Sequence, residues 1–284
     1  MTDAECVDLL SWALPRLGLR PEGYRRVRRL VRRRLARRLA ALGLADGSAY
    51  RRHLEAHPEE WAVLDACCRL PISRFYRDCG VFDGLRRAVL PALAGAACGR
   101  PDARLRAWSA GCASGEEAYT LAACFALEVG PRLPALVFEL VATDLDARLL
   151  ERARVACYAP SSAKELPPAW RDALFEPRGG ALAVRDRFRA AVALLVQDLR
   201  HEAPDGPFDL VLCRNVAFTY FAASVQRKVL ARIAARLRPG GALVIGRHEL
   251  LPRDAQAFRP WPGAPSTFRF AAAAASLALP AAER

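Results

Sequence analysis

Residues 108–120 read WSAGCASGEEAYT, and this stretch constrains the fold more than any other part of the chain. An apolar segment, 104–109, runs into a turn of small residues, and residues 116–128 then have helical spacing. Small residues allow the backbone of such a turn to approach a ligand closely. The pattern therefore predicts a strand, a ligand-binding turn and a helix.

The charges of this turn narrow the choice of ligand. Neither GxGxxG nor the Lys-Ser/Thr pair of a phosphate loop is present, and two carboxylates, Glu116 and Glu117, follow instead. Carboxylates repel phosphate and attract a cation, so we expect a positively charged nucleoside without phosphates, and S-adenosylmethionine fits this description. An ordinary strand-to-helix turn, whose two Glu favour the helix N-terminus, explains the same residues.

Alternating strands and helices follow the turn. Near-continuous apolar strands between helices predict a parallel sheet covered on both faces, whose ligands bind beyond the carboxyl ends of the strands. The candidate strands are 104–109, 137–143, 192–196, 208–213 and 242–246, and the candidate helices are 116–128, 146–156 and 223–237.

Two acidic residues follow strands of this sheet. Asp144 is expected to accept hydrogen bonds from ribose hydroxyls, and the alternative is an N-cap for helix 146–156. Asp198 is expected to accept from an adenine amine, and the alternative is a loop carboxylate.

The remaining segments predict the domain organisation. Segments with helical spacing predict an all-helical domain over 1–93, and a small-residue stretch predicts a linker at 94–103. Residues 158–191 are too long for a plain connection and predict an inserted β-subdomain of a 94–270 domain. The tail, 271–284, is of low complexity. The helical segments are 4–14, 22–43, 47–56, 58–70 and 78–93.

A strongly basic helix contributes much of the net charge of +13. Residues 24–38 contain nine arginines, with apolar residues at helical spacing. We favour docking of an anionic protein partner, and the alternatives are a solvated face, RNA or an acidic membrane surface. Because no aromatic side chains interleave with the arginines, no nucleic-acid partner is expected.

Composition argues against several other classes of protein. Nine cysteines without a CxxC pair, and four His without a cluster, predict reduced, mostly buried thiols and no zinc site. The acidic N-terminus lacks the layout of a signal peptide, and no apolar run reaches the ~20 residues of a membrane span. We expect a cytoplasmic monomer without membrane insertion.

Several segments occur together in an order that is typical of one family. Over residues 14–252 the chain resembles the CheR-type methyltransferases, which esterify receptor glutamates in bacterial chemotaxis with S-adenosylmethionine. The matching segments are the arginine-rich helix with Leu-Gly-Leu (42–44), ISRFYRD (72–78), WSAGCASGEEAYT (108–120), ATDLD (142–146), YAPSSAKELPP (158–168) and CRNVAFTYF (213–221).

The resemblance implies an α/β class I methyltransferase fold, a doubly wound, mostly parallel sheet with an N-terminal helical domain and an inserted β-subdomain. It also implies roles for particular residues. Glu117 would hold the methionine amine, Ala110 and Gly111 would shape the loop, Asp144 would bind ribose, Asp198 would lie near adenine, Asn215 would approach from the fourth strand, and Ser73 and Arg77 would close over the cofactor near the transferred methyl.

Catalysis in this scheme needs little acid–base chemistry. A glutamate carboxylate, with a pKa of about 4.3, is already ionised at neutral pH and needs no general base. Arg77 would hold it by charge-assisted hydrogen bonds with Ser73 nearby, and Tyr220 would position it unless that ring is only a packed aromatic.

Three departures from the family pattern bear on the acceptor. In segment 214–221 the tyrosine lies one place later than in the family. Gly246-Arg247-His248-Glu249 stands where the family has Gly-His-Ser-Glu. The turn at 177–180 is shorter than in family members that dock on a receptor tail peptide. The short turn predicts that no tethering receptor peptide binds. The predicted activity is methylation of chemoreceptor-like glutamates; the alternatives are a small-molecule carboxylate or hydroxyl acceptor, or a non-catalytic cofactor-binding regulatory module.

Overall fold

A seven-stranded sheet is the centre of the computed structural model, which describes residues 1–271. The predicted low-complexity tail lies outside the described residues from position 272 onward. The strands are β1 (Arg104–Ala110), β2 (Val137–Asp144), β3 (Cys157–Tyr158), β4 (Phe175–Arg178), β5 (Ala181–Val184), β6 (Val192–Val196), β7 (Phe208–Cys213), β8 (Leu237–Ile245), β9 (Phe258–Pro260) and β10 (Thr267–Phe270).

The order of the strands in this sheet is β6-β2-β1-β7-β8-β10-β9. The first five are parallel, and β10 and β9 are antiparallel additions at one edge. The strand order reverses direction beside β1, where ligands of such sheets bind. The predicted doubly wound, mostly parallel sheet is confirmed.

Helices cover both faces of the sheet. They are α1 (Asp3–Ala13), α2 (Arg28–Leu42), α3 (Gly47–Ala56), α4 (Glu60–Cys68), α5 (Cys79–Gly84), α6 (Leu90–Cys98), α7 (Glu116–Cys124), α8 (Ala147–Val155), α9 (Pro168–Leu174), α10 (Asp186–Arg189), α11 (Ala217–Tyr220) and α12 (Ala223–Arg236).

Strand alternation divides the apolar core into two parts. Ala107 of β1 packs with α5, α6 and α7 on one face. Trp108, the next residue, packs with α12 and with the buried residues of the N-terminal helices α1 to α4 on the other. Successive side chains of a strand point to opposite faces, so each strand joins both halves of the core.

Two helix boundaries differ from the sequence prediction. The predicted linker is helical as far as Cys98, because Ala94 and Ala97 are buried in the core and alanine favours helix. The domain boundary predicted after residue 93 therefore falls inside α6. The helix predicted at 22–43 is interrupted: a 3-10 turn covers Pro21–Tyr24, and α2 begins at Arg28.

The inserted segment contains a second sheet, with β5 between β3 and β4 in antiparallel pairing. Its turn uses Gly179 and Gly180, which have φ values of +54° and +78°. Absence of a tethering peptide at this turn stays a prediction.

All nine cysteines lie among the described residues and are free. Five of them are buried, Cys67 and Cys157 are half-buried, and Cys79 and Cys98 are exposed, which agrees with the expectation of mostly buried thiols. No helix within residues 1–271 is long and apolar enough to cross a membrane. The same residues contain no group of three or more His, Cys, Asp or Glu that could hold a metal ion.

Candidate functional site

A cavity of about 230 Å³ lies where the N-terminal helices meet the carboxyl ends of the parallel strands. Eight of the nine predicted site residues line it, although they come from distant parts of the chain. They are Ser73, Arg77, Gly111, Glu117, Asp144, Asp198, Asn215 and Tyr220. The ninth, Ala110, is fully buried at the end of β1 and does not line the cavity.

The turn after β1 is held tightly against its neighbours. Gly111 has a φ of +79°, and a Cβ there would lie 2.6 Å from Cγ2 of Val216. The backbone N–H groups of Gly111 and Cys112 donate to the carbonyl of Thr143 at 2.8 and 2.9 Å. Only glycine satisfies both the backbone conformation and the close contact, so the turn is specific to this residue.

The two adjacent glutamates of this turn face different surroundings. Glu116 is buried and accepts from the hydroxyl of Ser114 at 3.0 Å, outside the cavity. Glu117 lines the cavity, and its Oε1 accepts from Ser109 at 2.8 Å. The charge pattern of the sequence did not distinguish the two carboxylates, whereas the family resemblance singled out Glu117, and Glu117 is the one that lines the cavity.

Arg214 is a central residue for which the sequence predicted no role. Its side chain is 1% exposed. One nitrogen donates to Oε2 of Glu117 at 3.0 Å, and another donates to Oδ2 of Asp78 at 2.9 Å and to the carbonyl of Arg77 at 2.7 Å. Two carboxylates around one guanidinium leave a net negative charge, which suits a cation.

Asp144 is positioned by backbone donors. Its Oδ2 accepts from the N–H of Ala113 at 2.9 Å and its Oδ1 from the N–H of Asp146 at 2.9 Å. Burial raises the pKa of this carboxyl. The alternative role as helix cap is wrong, because Asp146 caps α8 by accepting from the N–H of Arg148.

Asp198 is engaged by Arg200, whose backbone N–H and Nε donate to it at 2.9 and 3.0 Å. Burial raises the pKa of the Asp198 carboxyl, but the hydrogen bonds from Arg200 outweigh it and hold this pKa below its usual value. The neighbouring Gln197 also lines the cavity, and its buried Oε1 has no partner among the described residues. Gln197 therefore has an unpartnered acceptor beside Asp198, and contact of Asp198 with an adenine amine stays a prediction.

The opposite wall comes from the helical side of the molecule. Arg77 donates to the carbonyl of Ile72 at 2.6 Å, which holds the loop that carries Ser73. Tyr220 packs against Tyr24 with ring centroids 5.1 Å apart, and burial raises its pKa. Tyr220 therefore both packs and lines the cavity.

Glu249, in the loop that departs from the family pattern, lies behind Asn215. It accepts from Thr219 Oγ1 at 2.6 Å, from the N–H of Asn215 at 2.9 Å and from the N–H of Gly246 at 2.6 Å. A Cβ at position 246 would lie 2.8 Å from Glu249 Oε2, so glycine permits this contact. Burial raises the pKa of the Glu249 carboxyl.

The acceptors of the cavity match the donors of one cofactor. Glu117 lies just beyond the turn after β1, Asp144 is the last residue of β2, and Gln197 and Asp198 follow β6. An amine, a ribose and an adenine amine each find an acceptor here, so these residues fit S-adenosylmethionine.

Comparisons with known proteins agree with this geometry. The family model described as "CheR methyltransferase, SAM binding domain" matches residues 72–265, and "CheR methyltransferase, all-alpha domain" matches residues 23–64. Both matches cover segments that contribute to the cavity.

Three relatives show how much of each chain is shared. A chemotaxis protein methyltransferase of Escherichia coli (strain K12) is 32% identical over 78% of this chain and 76% of its own length. A chemotaxis protein methyltransferase of Listeria monocytogenes is 35% identical over 64% of this chain and 67% of its own length. An uncharacterised 104.1 kDa protein of Rhodobacter capsulatus is 35% identical over 78% of this chain, which spans only 23% of that relative.

Proposed function

This chain belongs to the CheR methyltransferase family, a family of S-adenosylmethionine-dependent enzymes, and we propose that it methylates glutamate side chains of a chemoreceptor-like protein. The observation that carries the proposal is the cavity itself. Acceptors for the cofactor follow the strands on one wall, and Arg77 faces them from the other.

The chemistry of the cavity favours a carboxylate as methyl acceptor. Bound S-adenosylmethionine supplies an electrophilic methyl group on a cationic sulfur. No His or Lys is among the described residues that line the cavity, and its carboxylates Glu117, Asp144 and Asp198 already accept from arginine or backbone N–H groups. A hydroxyl acceptor would need a base to take its proton, whereas a glutamate with a pKa of about 4.3 is already ionised.

Arg77 is the residue proposed to receive that carboxylate. One of its nitrogens donates to the carbonyl of Ile72, and its other N–H groups have no partner within residues 1–271. A guanidinium binds a carboxylate through charge-assisted hydrogen bonds with defined geometry. Ser73 and Tyr220 line the same cavity and would limit the orientations open to the acceptor.

The arginine-rich helix is proposed to dock the acidic partner. Three of its arginines are used internally: Arg28 pairs with Asp3, Arg38 pairs with Glu60, and Arg34 donates to backbone carbonyls of Cys67 and Arg69.

The outer face of this helix carries arginines that form no ion pair with any described residue. Arg29, Arg33 and Arg37 follow each other at intervals of four residues, are exposed, and have no ion pair with any described residue. They form one stripe along α2, which we call the arginine stripe. Glutamate clusters on a helical receptor would complement it.

Methyl transfer from tritiated S-adenosylmethionine tests the proposal. The full chain is incubated with membranes that contain a chemoreceptor and with matched membranes that lack it, and base-released volatile methanol is counted. Base-labile label on protein that requires the receptor is the expected result, because carboxyl methyl esters hydrolyse in base. Normal cofactor binding without labelled protein would contradict it.

A small-molecule carboxylate is the second candidate acceptor. The loop at 246–249 departs from the family pattern, and Glu249 is used to hold the backbone of Asn215. Receptor-independent methanol release in the presence of small carboxylic acids would support this candidate.

A further inference from the structure

We propose that Arg200 is a positioning residue of the cofactor site, which sets cofactor affinity by tying the N-terminal helices to the loop after β6. Arg200 lies two residues beyond Asp198, and its guanidinium bridges two carboxylates that come from different parts of the fold. Arg200 itself also lines the cavity, and the role proposed for it is to hold these two carboxylates in place.

The first carboxylate belongs to the cavity wall. Arg200 Nε lies 3.0 Å from both oxygens of Asp198, and a terminal nitrogen lies 2.8 Å from Oδ2. The backbone N–H of Arg200 adds a contact of 2.9 Å to Oδ1. These bonds fix the loop that also carries Gln197, the residue with the free buried acceptor.

The second carboxylate belongs to α4, 135 residues earlier in the chain. The two terminal nitrogens of Arg200 donate to the two oxygens of Asp65 at 2.9 and 3.2 Å. Asp65 also accepts from Arg69 at 2.6 and 3.1 Å. The side chains of Arg200, Asp65 and Asp198 are 17%, 10% and 19% exposed, so the bridge is largely shielded from water.

The end of α4 is itself held in place. Arg34 of α2 donates to the carbonyls of Cys67 and Arg69, at the C-terminus of α4. Residues 69–74 continue from there and line the cavity. The bond between Arg200 and Asp65 therefore links the loop after β6 to the helix from which the segment with Ser73 continues.

Loss of the Arg200 guanidinium would affect two parts of the cavity wall together, the loop after β6 and the segment that continues from α4. Asp65 and Asp198 would then be two like charges in a shielded place, with only Arg69 left to pair with Asp65. Mutual repulsion would widen the cavity and loosen the loop of Gln197. Lysine would keep the charge but could not span both carboxylates with a planar fork.

Calorimetric titration of the full chain with S-adenosylhomocysteine tests this role. Arg200→Met should raise the Kd about tenfold, within the range seen for residues coupled through direct contacts. Arg200→Lys should give a smaller increase. In methyl-transfer assays KM for the cofactor should rise while kcat changes little, since Arg200 does not act on the reacting atoms.

Arg100→Met is the matched control. Arg100 forms a comparable two-nitrogen pair with Asp209 at 2.8 and 3.0 Å, with side chains 23% and 4% exposed, away from the cavity. Arg100→Met should lower the Tm and leave the Kd for S-adenosylhomocysteine within about twofold of that of the unchanged protein, because Arg100 supports the fold and not the cavity.

A double-mutant cycle with Asp65→Asn separates positioning from general destabilisation. The effects of Asp65→Asn and Arg200→Met on the Kd should be clearly less than additive, because both remove one bridge. Unchanged Kd values in the Arg200 variants, with a lowered Tm alone, would overturn the proposal. Binding of S-adenosylhomocysteine needs no methyl acceptor, so this result is independent of the proposed function.

Discussion

Arg214 donates to Oε2 of Glu117 at 3.0 Å and to Oδ2 of Asp78 at 2.9 Å, so one buried guanidinium joins the first turn of α7 to the start of α5. Together these three groups carry a single negative charge, and Glu117 is the one of the two carboxylates that lines the cavity. The site can therefore attract a cation while Glu117 stays rigidly oriented.

Replacement of Arg214 should be among the most damaging single changes in the chain. Arg214→Met leaves the carboxylates of Glu117 and Asp78 without their shared partner, and we expect a loss of about 3–5 kcal/mol in the free energy of unfolding. Arg214→Lys should cost less, because the charge remains while one of the contacts is lost. Urea unfolding of the three proteins measures the effect, and equal stabilities would contradict it.

The two neighbouring glutamates form a matched pair for testing cofactor binding. Glu117→Gln removes the charge that lines the cavity, and the Kd for S-adenosylhomocysteine should rise about tenfold or more, since a charged hydrogen bond contributes about 1.5–3 kcal/mol. Glu116→Gln changes a buried carboxylate outside the cavity and should leave the Kd nearly unchanged. An equal rise in both variants would show that Glu117 has no special role.

Charge reversal in the arginine stripe should weaken recognition of an acidic receptor. Arg33→Glu with Arg37→Glu should raise KM for the receptor about tenfold at low ionic strength, and the difference should shrink as salt rises. Arg227→Glu with Lys228→Glu on α12 changes the net charge equally at another exposed site and is the control. If both pairs raise KM equally, the effect is one of net charge and the stripe is not a docking site. Arg28 is unsuitable for this test, because it pairs with Asp3 at 2.6 Å.

The raised pKa of Glu249 predicts a pH-dependent stability difference. A carboxyl whose pKa is higher in the folded protein stabilises the fold at pH values below its pKa in the unfolded chain, which is 4.5 for Glu249. This contribution is lost as the pH rises through the pKa of the folded protein. Glu249→Gln cannot ionise, and its amide can still accept from two backbone N–H groups and donate to Thr219.

The stability of Glu249→Gln relative to the unchanged protein should therefore increase as pH rises above about 4.5. Urea unfolding at a series of pH values measures this difference. The pKa shifts of other groups such as Asp144 are present in both proteins and therefore cancel in the difference. If the difference in stability does not vary with pH, burial does not raise the pKa of the Glu249 carboxyl.

Local patterns were sufficient to predict much of the sheet and part of the cavity. Apolar runs located the five parallel strands, and polar residues after them located Asp144, Asp198 and Asn215. Strand ends meet at one edge of a parallel sheet, so residues far apart in sequence could be placed in one site from periodicity alone.

The sequence by itself thus determined the five parallel strands, the glycine turn after β1 and eight of the residues that line the cavity. Only the tertiary structure decided how the charges are shared. It buried Ala110, placed Arg214 between two carboxylates and joined Arg200 to Asp65. Periodicity states which face of an element is buried, but ion pairing depends on which side chains packing brings together from distant segments.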